Sequence, residues 1–407
     1  MKSVVDYLVA ARQCEIRALA RLQAGCELVS DISRLVHVLQ KERGSSSVFL
    51  ASGGRRFVDQ RSQRIAECLE AEVVLRERLA ALDPEAGGDA RLFTRIAAVV
   101  HGLDGLAALR EDIGRLALKP EQACAAFDRL IAALLAVVFE AADTAGDPAI
   151  SRALVAMFNF MQGKELAGQE RAAGGLLLAS GRADAAHRDR LSHLIEAQQR
   201  CFGVFAEFGG SDAVARWRAA EADAAIGEFE RLRRMLCTAR PGAALEAALS
   251  DAWFAACTTR IDAMKNIEAQ LAAGLQQLCV DKTAEARATL GELALPASAA
   301  PGGPLAVFVD AAQAADPPLA GEAGPRLGRS LLDMLQAQSR RLQSISDELH
   351  AVRGALEERK LIERAKGLLM AEDGLSEDAA YRQLRRMAMQ RGERLAEVAR
   401  AFLAARR

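Results

Sequence analysis

Leu28, Ile32, Leu35 and Leu39 recur at the spacing of one buried helix face, and the same face next presents Arg43, then Ser46 or Ser47, then Leu50. A later stretch repeats the arrangement, with Phe160, Ala167, Arg171, Gly174 and Leu178 on one side. Near the C-terminus Leu331, Leu335, Leu342, Ile345, Leu349, Val352 and Leu356 take alternating a and d positions, broken by Gln338, which predicts a coiled coil. Leu361 to Met370 continues as helix, Ser376 is placed to cap another ending near Gly392, and Leu395, Val398, Ala399, Phe402 and Leu403 mark a last one. The pattern predicts an all-α protein.

A duplication underlies it. Glu42-Arg43 is followed after five residues by Phe49-Leu50-Ala51-Ser52-Gly53, and Glu170-Arg171 after five residues by Leu177-Leu178-Ala179-Ser180-Gly181, 128 positions later. Two tandem halves, about 1–145 and 146–295, are expected, each long enough for a four-helix bundle. Pro296, Pro301, Pro304, Pro317, Pro318 and Pro325 then define a linker over 296–329. The coiled coil and three shorter helices fill 330–407.

Composition narrows the function. The chain has 407 residues, 51% hydrophobic, 26% charged and only 4% aromatic, with ten prolines, a globular and helical profile. The net charge of −1 gives no overall nucleic-acid signature, so any such site must be local. The longest uninterrupted apolar run, Leu130 to Phe139, falls short of a bilayer span, and no membrane association and a cytoplasmic location are expected. Eight cysteines without a C-x-x-C motif read as small apolar residues. His37, His101, His187, His193 and His350 are scattered with no nucleophile motif beside them, so neither metal site, cofactor nor enzyme is expected.

The two arginines carry the chemistry. A guanidinium on a core face costs several kcal/mol unless acceptors meet it. A carboxylate elsewhere in the core would serve, but Glu42 and Glu170 lie about 100° around their helices, and the residues after each arginine are small: Gly44-Ser45-Ser46-Ser47 and Ala172-Ala173-Gly174-Gly175. Two such arginines facing one cavity would repel unless an anion sat between them. A small planar oxyanion suits parallel N–H donors best.

The strings Lys41-Glu42-Arg43-Gly44 and Gly163-Lys164-Glu165-Leu166-Ala167-Gly168-Gln169-Glu170-Arg171-Ala172 resemble the arginine motifs of the NIT domain, a nitrate- and nitrite-sensing helical module, over roughly 25–290. The resemblance implies two four-helix bundles holding nitrate through Arg43 and Arg171. It also implies a further arginine near the end of the second bundle, for which Arg231, Arg233 and Arg234 are candidates and Arg233 and Arg234 preferred.

Between Arg382 and Arg407 stand eight arginines and two acids, and Arg382, Arg385 and Arg386 share one helix face. Such a cluster is usually a solvated face, yet beside a dimerising helix it suits a phosphate backbone. Residues 355–403 resemble the ANTAR domain, an RNA-binding antitermination module. The matching residues are Arg359, Ile362, Ala365 to Met370, Ala380-Tyr381, Leu384-Arg385, Met387-Ala388, Leu395, Val398 and Ala399. That resemblance implies binding of a two-hairpin leader RNA, with Ala365, Lys366, Gly367, Tyr381, Arg382, Arg385 and Arg386 at the contact.

The combined expectation is a one-component regulator of nitrate assimilation genes, homodimeric through 331–356. Nitrate or nitrite in the sensor would free an otherwise masked RNA-binding face. The competing readings are an all-helical coiled-coil adaptor and a DNA-binding regulator without anion sensing.

Overall fold

The chain folds as helices throughout its described regular structure, apart from one isolated antiparallel bridge between Arg182 and Ala244. The computed structural model describes residues 4–82, 90–223, 226–294, 349, 353–354, 356–375 and 377–406. The linker 296–329 and, save for 349, 353, 354 and 356, the heptad segment 331–356 lie outside the described residues, as does Ser376.

Helices α1 (Val4–Ala51), α2 (Val58–Ala80), α3 (Ala90–Asp104), α4 (Leu106–Gly114) and α5 (Pro120–Thr144) pack on one another. Helices α6 (Pro148–Ala179), α7 (Ala185–Phe208), α8 (Ser211–Glu221), α9 (Gly227–Thr238) and α10 (Leu249–Ala294) form a second group. In each group one position is filled by two short helices, α3 with α4 and α8 with α9, between longer rods. The groups meet where α1 lies against α10 and α6, and α5 against α6.

Local chemistry sets the ends. Pro120 and Pro148 occupy first helical positions, where a missing N–H costs nothing. Asp147 caps α6 by accepting from Ile150 N at 3.0 Å, and Asp184 caps α7 by accepting from Ala186 N at 3.2 Å. The duplicated Ala-Ser-Gly strings close α1 and α6 in the same way: Gly53 (φ 63°) and Gly181 (φ 69°) take the left-handed conformation, each N–H bonding the carbonyl three residues back at 3.0 Å. Ser52 and Ser180 repeat the parallel, each donating its hydroxyl to the carbonyl of residue i−3.

Leu28, Ile32, Leu35 and Leu39 are buried as their spacing predicts, against Phe127, Ile131, Leu134 and Val138 of α5 and Met157, Phe160 and Met161 of α6, all in one continuous core. Each such side chain contributes about 1.5–3 kcal/mol. A separate cluster beyond Arg171 joins Leu177 and Leu178 to Phe229, Leu232 and Trp253. Two windows, 90–114 and 120–143, reach the length and mean hydropathy (1.4 and 1.8) of a bilayer span, which counting uninterrupted runs overlooks. The first is broken at Gly105 and carries Arg110, and the second gives its apolar face to the core.

The C-terminal module consists of α11 (356–372), α12 (Glu377–Arg391) and α13 (Leu395–Ala405) around Ala365, Leu369, Ala380, Leu384, Ala399 and Phe402. Left-handed Gly374 and Gly392 (φ 65° each) follow α11 and α12. The module rests on the sensor helices: Lys360 Nζ donates to Asp143 of α5 at 2.6 Å, Arg359 Nη1 to Asn159 of α6 at 3.3 Å, and Leu356 enters the main core.

Candidate functional site

Because Glu42 and Arg43 are consecutive on α1, their side chains leave in different directions, and the same holds for Glu170 and Arg171 on α6. Each glutamate turns into its own half. Arg110 of α4 grips Glu42 through two hydrogen bonds of 2.8 and 2.9 Å, and Arg233 of α9 grips Glu170 through two of 2.7 and 3.1 Å. Gln198 of α7 adds a bond of 2.6 Å to Glu170 and accepts from Arg260 of α10 at 2.9 Å. These fork-to-carboxylate pairs occupy equivalent places in the two halves.

In this arrangement the basic run on α9 points elsewhere than to Arg43 and Arg171. Arg233 is committed to Glu170 and Glu230, Arg234 is exposed, and Arg231 pairs with Glu228 at the surface. The sequence shows a cluster of cations, but only the fold reveals that one of them faces a buried carboxylate.

The motif arginines cross between the halves. Arg43 reaches α6, where a Cβ on Gly168 would lie 2.7 Å from its Nη2, and Arg171 reaches α1, where a Cβ on Gly44 would lie 3.0 Å from its Nη2. Both are buried, and their surroundings differ sharply. Arg43 is ion-paired with Glu165 of α6 and Asp128 of α5. Burial opposes its charge, but the two carboxylates outweigh that and hold its pKa above the ordinary value.

Arg171 has no such support. It donates to Thr258 Oγ1 at 3.0 Å, and its guanidinium lies 4.6 Å from the centre of the Phe254 ring. Among the described residues no carboxylate bonds it. Burial pushes its pKa down to about 10, with the Arg43 charge adding to the effect. Trp253 donates Nε1–H to the Arg171 carbonyl at 2.8 Å and fills the space beside Gly174, which fixes this turn of α6. Ser46, one turn beyond Arg43, is buried with its hydroxyl unpartnered among the described residues.

A polar seam continues down the interface and was not foreseen from sequence. Glu165 also accepts from Gln40 at 2.8 Å and Gln169 at 3.0 Å. Next to it Lys164 of α6 forms a fully buried ion pair with Glu268 of α10, which Ser33 of α1 and Lys265 also contact. Burial alone would raise Glu268, yet Lys164 and Lys265 bring its pKa down to about 2. His37 is half-buried beside these cations, and desolvation followed by the Lys164 charge lowers its pKa to about 2. The visible signal was Lys164-Glu165 inside the second motif, two adjacent charges just after the apolar run Leu154 to Phe158 of α6.

In the C-terminal module the expected contact residues separate into three groups. Ala365 belongs to the small core, Gly367 is exposed with open space around it, and Lys366 is largely buried and bonds Glu363 at 3.0 Å. Arg386 is exposed. Tyr381, Arg382 and Arg385 instead face α7: Tyr381 lies under Arg200 (4.4 Å) and beside His193 (ring centres 5.0 Å apart), Arg382 is 3.5 Å from Asp189, and Arg385 is ion-paired with Glu196. Among the described residues no cluster of three or more His, Cys, Asp or Glu could hold a metal ion.

Residues 34–276 match the family model described as nitrate and nitrite sensing (NIT), and residues 350–403 match the ANTAR domain. The chain is similar to the nitrate regulatory protein of Klebsiella oxytoca, at 36% identity across 98% of this chain and 94% of that protein. It is also similar to the solved structure of the NasR transcription antiterminator, at 34% identity and a TM-score of 0.62, covering 99% of both chains.

Proposed function

The chain belongs to the NIT–ANTAR family of nitrate-responsive transcription antitermination regulators, and from that premise we propose that nitrate or nitrite binds between α1 and α6 against Arg171 and Arg43. The observation that carries this reading is Arg171, a buried guanidinium with a hydroxyl and an aromatic ring but no carboxylate. A buried guanidinium that no carboxylate bonds is costly, and an anion arriving there gives it a direct partner, so the ligand prefers the state that brings the arginines together. Thr258 supplies a further polar group beside the guanidinium. The protein is a regulator and not an enzyme.

The output is the release of α12. In this arrangement Asp189 and Glu196 stand against Arg382 and Arg385 where phosphates would, and Arg200 and His193 cover Tyr381 where a base would stack. The RNA-binding face is therefore masked by the sensor, and anion binding shifts the balance toward an undocked module that takes up a two-hairpin leader RNA. Arg382, Arg385 and Arg386 contact its phosphates and Tyr381 its loop bases. Lys366 and Gly367 lie alongside on α11, with Ala365 keeping the helices close. The boundaries 1–295, 296–329 and 330–407, a homodimer through 331–356 and a cytoplasmic location belong to the same reading, since the transcript is in the cytoplasm.

The test is thermal unfolding and leader-RNA binding of the full chain with and without nitrate at about 100 times its dissociation constant, where a native-state ligand adds about 2.7 kcal/mol. Arg171→Ala should lose both the stabilisation and the nitrate dependence of RNA binding. A normal response in that variant overturns the site.

A further inference from the structure

The carboxylates bonded to the motif arginines already match them in number, but both sit on Arg43. Arg43 and Arg171 bring two positive charges, and Asp128 and Glu165, both on Arg43, bring two negative ones. A monovalent anion placed against the guanidinium groups would leave excess negative charge in a desolvated site, which is unfavourable unless a carboxylate gives way.

The two carboxylates are not equivalent. Glu165 is 3% exposed and is held in addition by Gln40 and Gln169. Asp128 is 27% exposed, and among the described residues its hydrogen-bond partner is Arg43 alone. The acid on the solvent side with the fewest ties is the one that can leave.

Resting on the anion site proposed above, we propose that Asp128 is an internal competitor for the ligand: it occupies Arg43 in the empty sensor and is displaced when nitrate enters. Asp128 is then a positioning residue that sets the anion concentration at which the sensor responds. The consequence reaches the output. On the same helix, fifteen positions and about 22 Å further along, Asp143 holds Lys360 of α11. Releasing Asp128 from Arg43 therefore acts on a helix that touches the RNA-binding module.

Competition also predicts a pH profile. Arg43 of α1, Glu165 of α6, Arg190 of α7 and Cys124 on α5 itself are the titratable and charged groups around Asp128. Protonating Asp128 removes its claim on Arg43, while nitrate stays ionised throughout the working range. Nitrate should bind more tightly as the pH falls.

The experiment is calorimetric titration of the full chain with sodium nitrate at a series of pH values falling from about pH 7.5, since burial raises the Asp128 carboxyl above the ordinary range. Asp128→Asn should bind nitrate about tenfold more tightly than the parent at the upper pH and show little further gain on acidification. Asp128→Ala, which removes the group altogether, should behave alike and serves if the amide disturbs folding. Unchanged or weaker binding in a variant with parental helical content overturns the proposal, as does an acid enhancement that survives both substitutions. A failure of the site itself reads differently: Arg171→Ala would then bind nitrate like the parent.

Discussion

Gly44 of α1 and Arg171 of α6 meet across the two halves so closely that a single added methyl would touch the guanidinium, 3.0 Å from Nη2. The reciprocal contact, Gly168 with Arg43, is tighter at 2.7 Å. Both obstacles are ends of flexible side chains, and alanine gains about 1 kcal/mol over glycine in a helix interior. Gly44→Ala should therefore melt at or near the parental temperature without ligand, whereas Gly168→Ala, which pushes on an Arg43 held by Glu165 and Asp128, should melt lower; both should lose much of their stabilisation by nitrate, because the guanidinium is pushed from its place. Calorimetric melts with and without nitrate check this, and an unimpaired ligand shift in Gly168→Ala would contradict it.

Glu42 and Glu170 make a different prediction about Arg110 and Arg233. Removing either arginine strands a buried carboxylate, so Arg110→Ala and Arg233→Ala should each cost about 3–5 kcal/mol in urea unfolding without any nitrate present. Replacing the glutamate as well, in Glu170→Gln with Arg233→Ala, should recover part of that loss. A ligand-binding arginine would give the opposite pattern: little change in the empty protein and loss of the nitrate response.

Much of this architecture was legible because a charge on an apolar stripe is conspicuous, and Arg43 and Arg171 stand on theirs at equivalent places. Their partners were not. Asp128 lies 85 residues from Arg43 and Thr258 lies 87 from Arg171, and neither interrupts a pattern of its own. Arg110 was hidden because its position depends on the break at Gly105 between α3 and α4. Arg233 was visible only as one of three cations, and sequence does not distinguish a cation awaiting a ligand from one holding Glu170. The acids of α7 that meet α12, Asp189 and Glu196, read as ordinary solvated residues on a polar face until the module is docked against them.

His37 predicts acid sensitivity. Its pKa falls from 6.5 to about 2 on folding, so the unfolded chain binds the proton more readily than the native one. The contribution is complete above pH 6.5 and is lost as the pH falls toward 2, at about 1.4 kcal/mol per pH unit once the unfolded histidine is charged. Urea unfolding at pH 7, 6 and 5 should show a decline that is shallower in His37→Leu by that amount. Equal slopes in the two proteins would mean that the imidazole is protonated within the fold.

Masking of α12 by α7 predicts that the block can be lifted without ligand. The individual ion pairs are largely exposed and worth only about 0.2–1 kcal/mol each, so single substitutions should have small effects. Replacing Asp189, Glu196 and Arg200 together by Ala removes both phosphate-like acids and the cation over Tyr381, and nitrate-free affinity for the leader RNA should rise about tenfold. By reciprocity the same variant should also bind nitrate more tightly, by up to about tenfold, because the anion no longer works against docking of α12 on α7. Because removing two acids also makes the protein more basic, duplex DNA at matched salt is the control for non-specific attraction. A gain confined to the leader RNA identifies release of a preformed face, whereas an equal gain for both nucleic acids would show that only the net charge had changed.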